Sequence, residues 1–208
     1  MTKTSGTKEW ATSNVNIAQG CSNNCRYCYA KKIAMRFGRK TEDTWKEMQI
    51  DKDKVGKSYR KREGRIMFPS SHDITPEILE DAVRVLKKMA EHNSILIVTK
   101  PNLKCIQRLC YELQDYKESI EFRFTITSDQ QETLDFWEPG APSFKKRLEA
   151  LRYATEGCGY YTSVSIEPFL SDPVPLVNRL RHYHVHTIWI GPKNHIQKYG
   201  LNEDEERE

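Results

Sequence analysis

Three cysteines lie close together near the start of the chain, with three residues between the first pair and two between the second: Cys21, Cys25 and Cys28. Thiolates are soft ligands and select zinc, copper or iron–sulfur clusters over hard cations. A closed structural zinc site takes four protein ligands, whereas a four-iron cluster held by three cysteines keeps one iron open. We therefore expect an iron–sulfur cluster. The alternatives are a zinc site completed by a distant His or Cys, and buried cysteines without metal.

Short β-rich runs alternate with amphipathic helical runs along the chain, which is typical of β/α units and a parallel sheet. Strands are predicted at residues 15–18, 66–69, 94–100, 121–127, 160–166 and 187–191, and the cysteine loop directly follows the first. Helices are predicted at 29–39, from Thr75 as N-cap, around 103–113, at 143–156 and at 173–182, with 128–144 as a loop. The expected fold class is α/β, a partial (β/α)6 barrel with parallel strands, open and TIM-barrel-like. Its active site would lie at the carboxyl ends of the strands.

The size and composition of the chain favour one globular domain over residues 1–208, with a charged tail at 201–208. No run approaches the ~18 consecutive apolar residues of a membrane helix, so no membrane partner is expected. The first residues lack the apolar segment of a secretory signal, which predicts a reducing cytoplasm.

A basic stretch without apolar periodicity occupies residues 40–65 and is predicted to be an insertion in the barrel. Its positive residues, expected near the cluster end, are Lys52, Lys54, Lys57, Arg60, Lys61, Arg62 and Arg65. Tyr59 lies among them as a possible stacking side chain. Contact with nucleic acid or phosphate and a solvated loop are equally good interpretations, because acidic residues are interspersed.

The cysteine spacing, with Tyr27 before Cys28, resembles the Cys-x3-Cys-x-aromatic-Cys signature of the radical S-adenosylmethionine superfamily. More of the chain resembles the spore photoproduct lyase-like branch of that superfamily. The segments that carry this likeness are Pro-Ser-Ser-His-Asp at 69–73, Val-Thr-Lys at 98–100, Glu-Pro-Gly-Ala-Pro-Ser at 138–143, Arg-Leu-Glu-Ala-Leu at 147–151 and Ser-Ile-Glu-Pro at 165–168. The superfamily is built on a partial barrel, which agrees with the predicted order of strands.

The resemblance implies two cofactors, one [4Fe–4S] cluster on the three cysteines and S-adenosylmethionine on the open iron. It further implies that Tyr27 packs near adenine, Ser71 accepts from the amino group, Lys100 pairs with the carboxylate and Thr125 adds a hydroxyl, with Ile190 and Gly191 beside adenine. Glu167 is a weak catalytic candidate that would orient substrate or ribose. Ordinary structural roles stay open for each: a turn for Ser71, a strand position for Thr125, a solvated side chain for Lys100 and a loop cap for Glu167.

The resemblance also suggests a substrate. Spore photoproduct lyase acts on thymine in DNA and uses a hydrogen-donor cysteine where this chain has Pro69. The chain is also similar to small phage radical enzymes that rearrange amino-acid adducts of thymidine, and an isomerase needs no separate donor. This implies an isomerase or lyase type of radical enzyme that modifies a thymine-derived base. Its partners would be DNA and a flavodoxin or ferredoxin, in the host cytoplasm if it is phage-encoded. Alternatives are an RNA, peptide or small-molecule substrate, and a non-enzymatic zinc or nucleic-acid binding module.

Overall fold

The computed structural model describes residues 6–192, and the strands within them form two sheets. In chain order the strands are β1 (Ser13–Asn14), β2 (Ala18–Gln19), β3 (Gln49–Ile50), β4 (Ile66–Phe68), β5 (Ile95–Thr99), β6 (Ile120–Thr125), β7 (Tyr161–Ile166) and β8 (Thr187–Ile190). A six-stranded parallel sheet has the order β1-β4-β5-β6-β7-β8, and β2 pairs with β3 antiparallel. The predicted α/β class and the open partial barrel are confirmed, while the predicted tail at 201–208 lies outside the described residues.

Helices connect the parallel strands and cover one face of the sheet. They are α1 (Tyr29–Arg36), α2 (Lys52–Gly56), α3 (Leu79–Ala90), α4 (Leu103–Glu112), α5 (Gln131–Trp137), α6 (Phe144–Arg152) and α7 (Pro173–Leu180). Because side chains alternate across a strand, β6 sends Phe122 and Phe124 into the core beneath the helices. The same strand sends Arg123 and Thr125 to the concave face. The concave face therefore carries the polar groups. Within residues 6–192, no helix combines the length and the apolar character needed to cross a membrane.

The two edges of the large sheet approach each other through the residues that precede β1. Trp10 contacts Trp189 of β8 with 6.0 Å between ring centroids. The guanidinium of Arg123 lies against both rings, 4.7 Å from the centroid of Trp10 and 4.9 Å from that of Trp189. The sheet is thus curved enough for its first and last strands to share one side-chain cluster, as in a partial barrel.

The first strand differs from its prediction at 15–18 because polar side chains intercept the chain. After β1, the amide of Val15 still donates to the carbonyl of Met67 at 2.9 Å. The next hydrogen bonds involve side chains. The side-chain carbonyl of Asn16 accepts from the Ser70 amide in the turn after β4, and the Ile17 amide donates to His72 Nε2 at 3.0 Å. The chain therefore leaves the large sheet and pairs with β3 instead.

Two segments predicted as loops have ordered structure. Residues 128–144 contain α5, and the basic stretch 40–65 contains β3 and α2. Trp45, Val55 and Tyr59 are buried at 2%, 3% and 5% exposure. The stacking role predicted for Tyr59 is therefore wrong, because the core encloses its ring and its hydroxyl donates to the Lys54 carbonyl.

The predicted position of the basic stretch at the cluster end is also wrong for its later part. The backbone amide of Arg62 donates to the side-chain carbonyl of Asn93 at 2.8 Å, and Asn93 lies just before β5. Arg65 immediately precedes β4 and pairs with Glu121. These residues lie at the amino ends of the strands, because a parallel crossover must carry the chain back to that end.

Candidate functional site

A cavity of 970 Å³ opens at the carboxyl ends of the strands and contains most of the predicted site. The predicted residues that line it are Cys21, Cys25, Tyr27, Cys28, Ser71, Lys100, Thr125 and Glu167. They come from the cysteine loop and from the ends of β4, β5, β6 and β7. The parallel sheet therefore assembles in one place residues that are up to 146 positions apart in the sequence.

The cysteine loop is held on one side by the segment before β3. The amide of Cys21 donates to the carbonyl of Trp45 at 2.9 Å. Gly20 has φ +92°, and a Cβ atom on it would lie 2.3 Å from the carbonyl oxygen of Glu47. Only glycine allows this close approach. The backbone at the start of the cysteine loop therefore packs directly against the backbone of the segment before β3.

The other side of the cysteine loop packs against the segment after α5. The amide of Gly140 donates to the carbonyl of Asn23 at 3.0 Å, and that of Arg26 to the carbonyl of Trp137 at 2.9 Å. A Cβ atom on Gly140 would lie 2.2 Å from the carbonyl oxygen of Ser22. The Glu-Pro-Gly segment thus forms a backbone wall behind the cysteines.

Asp73 links the cysteine loop to the strand ends and is almost completely buried. Its carboxylate accepts from the Asn23 side chain at 2.6 Å and from the backbone amides of Lys100 at 3.0 Å and Ile74 at 2.7 Å, as well as from the Thr99 hydroxyl. Burial raises its pKa, while Lys100 and these hydrogen bonds act in the opposite direction. One side chain therefore fixes the cysteine loop and the end of β5 relative to each other.

Glu138 is the centre of a second buried network, behind Lys100. Its carboxylate is contacted by the hydroxyls of Tyr27 and Thr127 and by the guanidinium of Arg147, which is fully buried. The ammonium of Lys100 lies 3.7 Å from Glu138 Oε1. Burial alone would raise the pKa of Glu138, but Lys100 and Arg147 outweigh it and the pKa is lowered. Glu138 is thus an anion that orients Tyr27 and Lys100 from behind.

The three cysteines fit an iron–sulfur cluster by their chemistry and position. All are free thiols on one wall of the cavity. Burial raises the pKa of Cys21 and Cys28, and raises that of Cys25 to about 12. Metal binding requires these thiols to lose their protons, and the metal–thiolate bonds would supply the free energy for that loss. Among residues 6–192, no three His, Cys, Asp or Glu side chains are arranged around a single metal ion.

Four of the six residues predicted to hold S-adenosylmethionine line the same cavity: Tyr27, Ser71, Lys100 and Thr125. The Asn16 carboxamide accepts from the amides of Ser70 at 2.7 Å and Ser71 at 2.9 Å, which fixes the turn that presents Ser71. Lys100 is mostly buried. Burial would lower its pKa, but Cys25, Glu138 and Asp73 raise it above the ordinary value. Lys100 is therefore a cation, and the solvated-lysine interpretation does not describe it.

Glu167 follows β7, and Ile190 and Gly191 lie beside it at the end of β8. Glu167 lines the cavity, and burial raises its pKa, with Glu9 adding to the effect and Arg123 opposing it. A Cβ atom on Gly191 would lie 2.8 Å from Glu167 Cδ, so Gly191 gives room to this side chain. Ile190 is 53% exposed. Neither Ile190 nor Gly191 is among the residues that line the cavity.

Asp73 and Glu138 are buried carboxylates of the candidate site that the sequence did not assign. Both lie inside segments that carry the family resemblance, one in the turn that follows β4 and one before Pro-Gly. A carboxylate at the carboxyl end of a parallel strand is a usable signal for a site residue. The partners of Glu138, by contrast, come from four separate segments that only the fold brings together.

Comparisons with known proteins agree with this geometry. The Radical SAM superfamily model matches residues 15–166. The chain is 26% identical over 171 residues to the uncharacterized protein ORF301 of Acidianus two-tailed virus, covering 76% of this chain and 55% of that protein. It is 25% identical over 163 residues to the uncharacterized protein MJ0683 of Methanocaldococcus jannaschii, covering 76% and 60%. The chain thus spans a little over half the length of these relatives.

Solved structures show the same fold. A cysteine-to-alanine mutant of spore photoproduct lyase with dinucleoside spore photoproduct superposes with a TM-score of 0.54 at 19% identity, over 74% of this chain and 45% of that one. A radical SAM methyltransferase from Sphaerobacter thermophilus gives 0.51 at 15% identity, over 84% and 55%. The family model covers most of the described residues and includes all three cysteines, so this chain belongs to the radical SAM superfamily.

Proposed function

We propose that this chain is a radical S-adenosylmethionine enzyme with a [4Fe–4S] cluster on Cys21, Cys25 and Cys28. The observation that carries the proposal is one cavity of 970 Å³ lined by these three thiols together with Ser71, Lys100 and Thr125. When bound, the cluster supplies the electron that cleaves S-adenosylmethionine to methionine and a 5′-deoxyadenosyl radical. The electron would come from a flavodoxin- or ferredoxin-type donor.

The residues of the chain bind and orient the methionine end of S-adenosylmethionine. Lys100 is a buried cation beside the cysteine loop and would pair with the carboxylate of the cofactor. Glu138 and Asp73 lie close enough to stabilise that cation before the cofactor binds. Ser71 follows β4 and Thr125 ends β6, on either side of β5, and their hydroxyls would hold the amino group and ribose. These residues would therefore position the cofactor, while the bond cleavage itself is chemistry of the cofactor.

The adenine end is assigned by the same proposal to Tyr27 and to the end of β8. Tyr27 is fixed by Glu138, and its ring centroid lies 5.6 Å from the ammonium of Lys100. Gly191 has limited support, because its N–H donates to the Ile166 carbonyl and its carbonyl accepts from the Phe169 amide. Ile190 has less support, because its side chain is largely exposed.

For the substrate, we propose a thymine-derived base in DNA that is rearranged or otherwise modified. Pro69 lines the cavity, and the cysteines among its described lining residues are those of the loop. An isomerase agrees with this lining: the substrate would give a hydrogen atom to the adenosyl radical, rearrange and take a hydrogen atom back from 5′-deoxyadenosine, so that S-adenosylmethionine is regenerated. No further donor is then required. Glu167 would orient the substrate at the far end of the cavity.

The test uses anaerobically reconstituted protein with S-adenosylmethionine, dithionite and thymine-rich DNA carrying candidate modified nucleosides. We expect an altered nucleoside, together with 5′-deoxyadenosine that carries substrate deuterium and is released when a turnover ends before the hydrogen is returned. Lys100→Met should lower the amount of 5′-deoxyadenosine at least ten-fold. The control, Lys104→Met on the exposed side of α4, should match the wild type. A colourless zinc protein that forms no 5′-deoxyadenosine would refute the proposal.

A further inference from the structure

Helix α1 presents an unusual apolar surface to solvent directly after the cysteine loop. Phe37 is 67% exposed, Tyr29 51% and Ile33 42%. We call these residues, together with Arg36 and Arg39, the α1 face. Large apolar side chains grouped on an exposed helix typically mark a binding surface rather than chance exposure.

The same surface carries positive charge. Residues 32–41 contain Lys32, Arg36, Arg39 and Lys40 and no Asp or Glu, whereas the mostly buried Lys31 is paired with Glu42. The guanidinium groups of Arg36 and Arg39 lie 5.8 Å and 5.6 Å from the ring centroid of Phe37. An exposed aromatic ring with two cations close by suits a nucleobase with its phosphates, because the base stacks while the phosphates are neutralised.

The end of α1 is rigid, which fixes this arrangement. Gly38 adopts φ +63°, and the amide of Arg39 donates to the carbonyl of Ala34 at 2.9 Å while that of Gly38 donates to Met35 at 3.0 Å. This is the pattern of a Schellman C-cap. The backbone at Phe37 and Arg39 is therefore fixed before any partner binds, and the two side chains start from defined positions.

The α1 face is continuous with the proposed active site. Tyr29, Lys32, Ile33 and Arg36 line the cavity that also contains the three cysteines. A partner on this face would reach into the cavity. A cavity of 970 Å³ accommodates single nucleotides and not a duplex, so the strand must be unpaired where it enters.

We propose that the α1 face binds single-stranded or locally unpaired DNA, with a base on Phe37 and its phosphates at Arg36 and Arg39, and directs a neighbouring nucleotide into the cavity. This inference rests on the DNA substrate of the proposed function. In this proposal the α1 face, rather than the basic stretch 40–65, makes the main contact with DNA. An acidic electron-transfer protein is the competing occupant of a positive, partly apolar face.

The experiment measures fluorescence anisotropy of a labelled thymine-rich single strand and of the matched duplex with reconstituted holoprotein. Arg36→Gln with Arg39→Gln should weaken single-strand binding at least ten-fold and reduce the slope of log K against log salt by about 1.4, for two phosphates. Phe37→Ala should weaken it about ten-fold with the slope unchanged. The duplex should bind more weakly than the single strand.

The matched control is Lys54→Gln with Lys57→Gln, which removes two exposed charges from the basic stretch. It should bind DNA like the wild type. The proposal is overturned if the control loses binding while the α1 variants keep it, or if the α1 variants lose only their affinity for a flavodoxin. Iron content and 5′-deoxyadenosine formation are measured on the same samples. They report on the proposed function separately, because anisotropy requires no turnover.

Discussion

Asn23 and Asp73 lie 50 positions apart in the sequence, yet the side-chain amide of the first donates to the carboxylate of the second at 2.6 Å. This contact joins the cysteine loop to the ends of β4 and β5, where the Asp73 carboxylate also accepts from the Lys100 amide. The position of the cysteines relative to Lys100 therefore depends on one buried side chain.

Replacing Asp73 with Asn should destabilise the fold, because the new amide group would face donors and leave at least one of them unpaired. We expect the free energy of unfolding to fall by about 2–3 kcal/mol. Urea unfolding of the metal-free protein measures this change. The exposed control Asp53→Asn should change the free energy of unfolding by less than about 0.5 kcal/mol. Equal effects of the two variants would contradict the role of Asp73.

Glu138→Gln should have a larger effect, because it leaves Arg147 and Lys100 buried without their shared counter-charge. Loss of one partner from a buried ion pair typically costs about 3–5 kcal/mol of unfolding free energy. The control is Glu149→Gln, which makes the same change on the exposed side of α6. A loss no greater than that of the control would show that Glu138 does not stabilise the two cations.

Gly140→Ala should displace the cysteine loop, because the added Cβ atom would overlap the carbonyl of Ser22 at 2.2 Å. We expect a loss of about 1–3 kcal/mol in unfolding free energy and clearly less iron bound per chain. Gly56→Ala is the control, since nothing lies within 4 Å of a Cβ atom there. Full iron loading of Gly140→Ala would show that the cysteine loop can bind its metal without this close backbone contact.

His72 predicts a specific dependence of stability on pH. Burial lowers its pKa to about 4 from an ordinary 6.5, so the unfolded chain binds more protons than the folded protein between these values. Stability from this residue is therefore lost as the pH falls through that window. The advantage of wild type over His72→Gln in unfolding free energy should shrink by roughly 1–2 kcal/mol from pH 7 to pH 5. The exposed control His92→Gln should follow the wild type at both pH values.

The sequence was most informative where the signal was local. The cysteine spacing and the strand periodicity predicted the loop and the order of most strands, and the family resemblance implied Ser71, Lys100 and Thr125, which line one cavity. Ile190 shows the limit on an edge strand, where neighbouring residues point to opposite faces and no alternating pattern marked which face was buried. Its side chain is largely exposed, whereas the adjacent Gly191 leaves room for the side chain of Glu167.

Contacts between distant segments could not be predicted in the same way. Tyr59 lies in a run of charges that resembles a solvated loop, yet the core encloses its ring. Glu138 has partners on β5, α6, the cysteine loop and the end of β6, and nothing in its neighbourhood in the sequence indicates them. Long-range burial, rather than local propensity, determines both positions.

The central claim is that Cys21, Cys25 and Cys28 hold a cluster that opens onto the S-adenosylmethionine cavity. The most direct measurement is iron and sulfide content of anaerobically reconstituted protein, together with 5′-deoxyadenosine formed with dithionite. We predict about four irons per chain in the wild type and in Cys105→Ala, and loss of both iron and 5′-deoxyadenosine in Cys25→Ala. Zinc in place of iron, or a Cys25→Ala variant that keeps its iron and its product, would contradict the account.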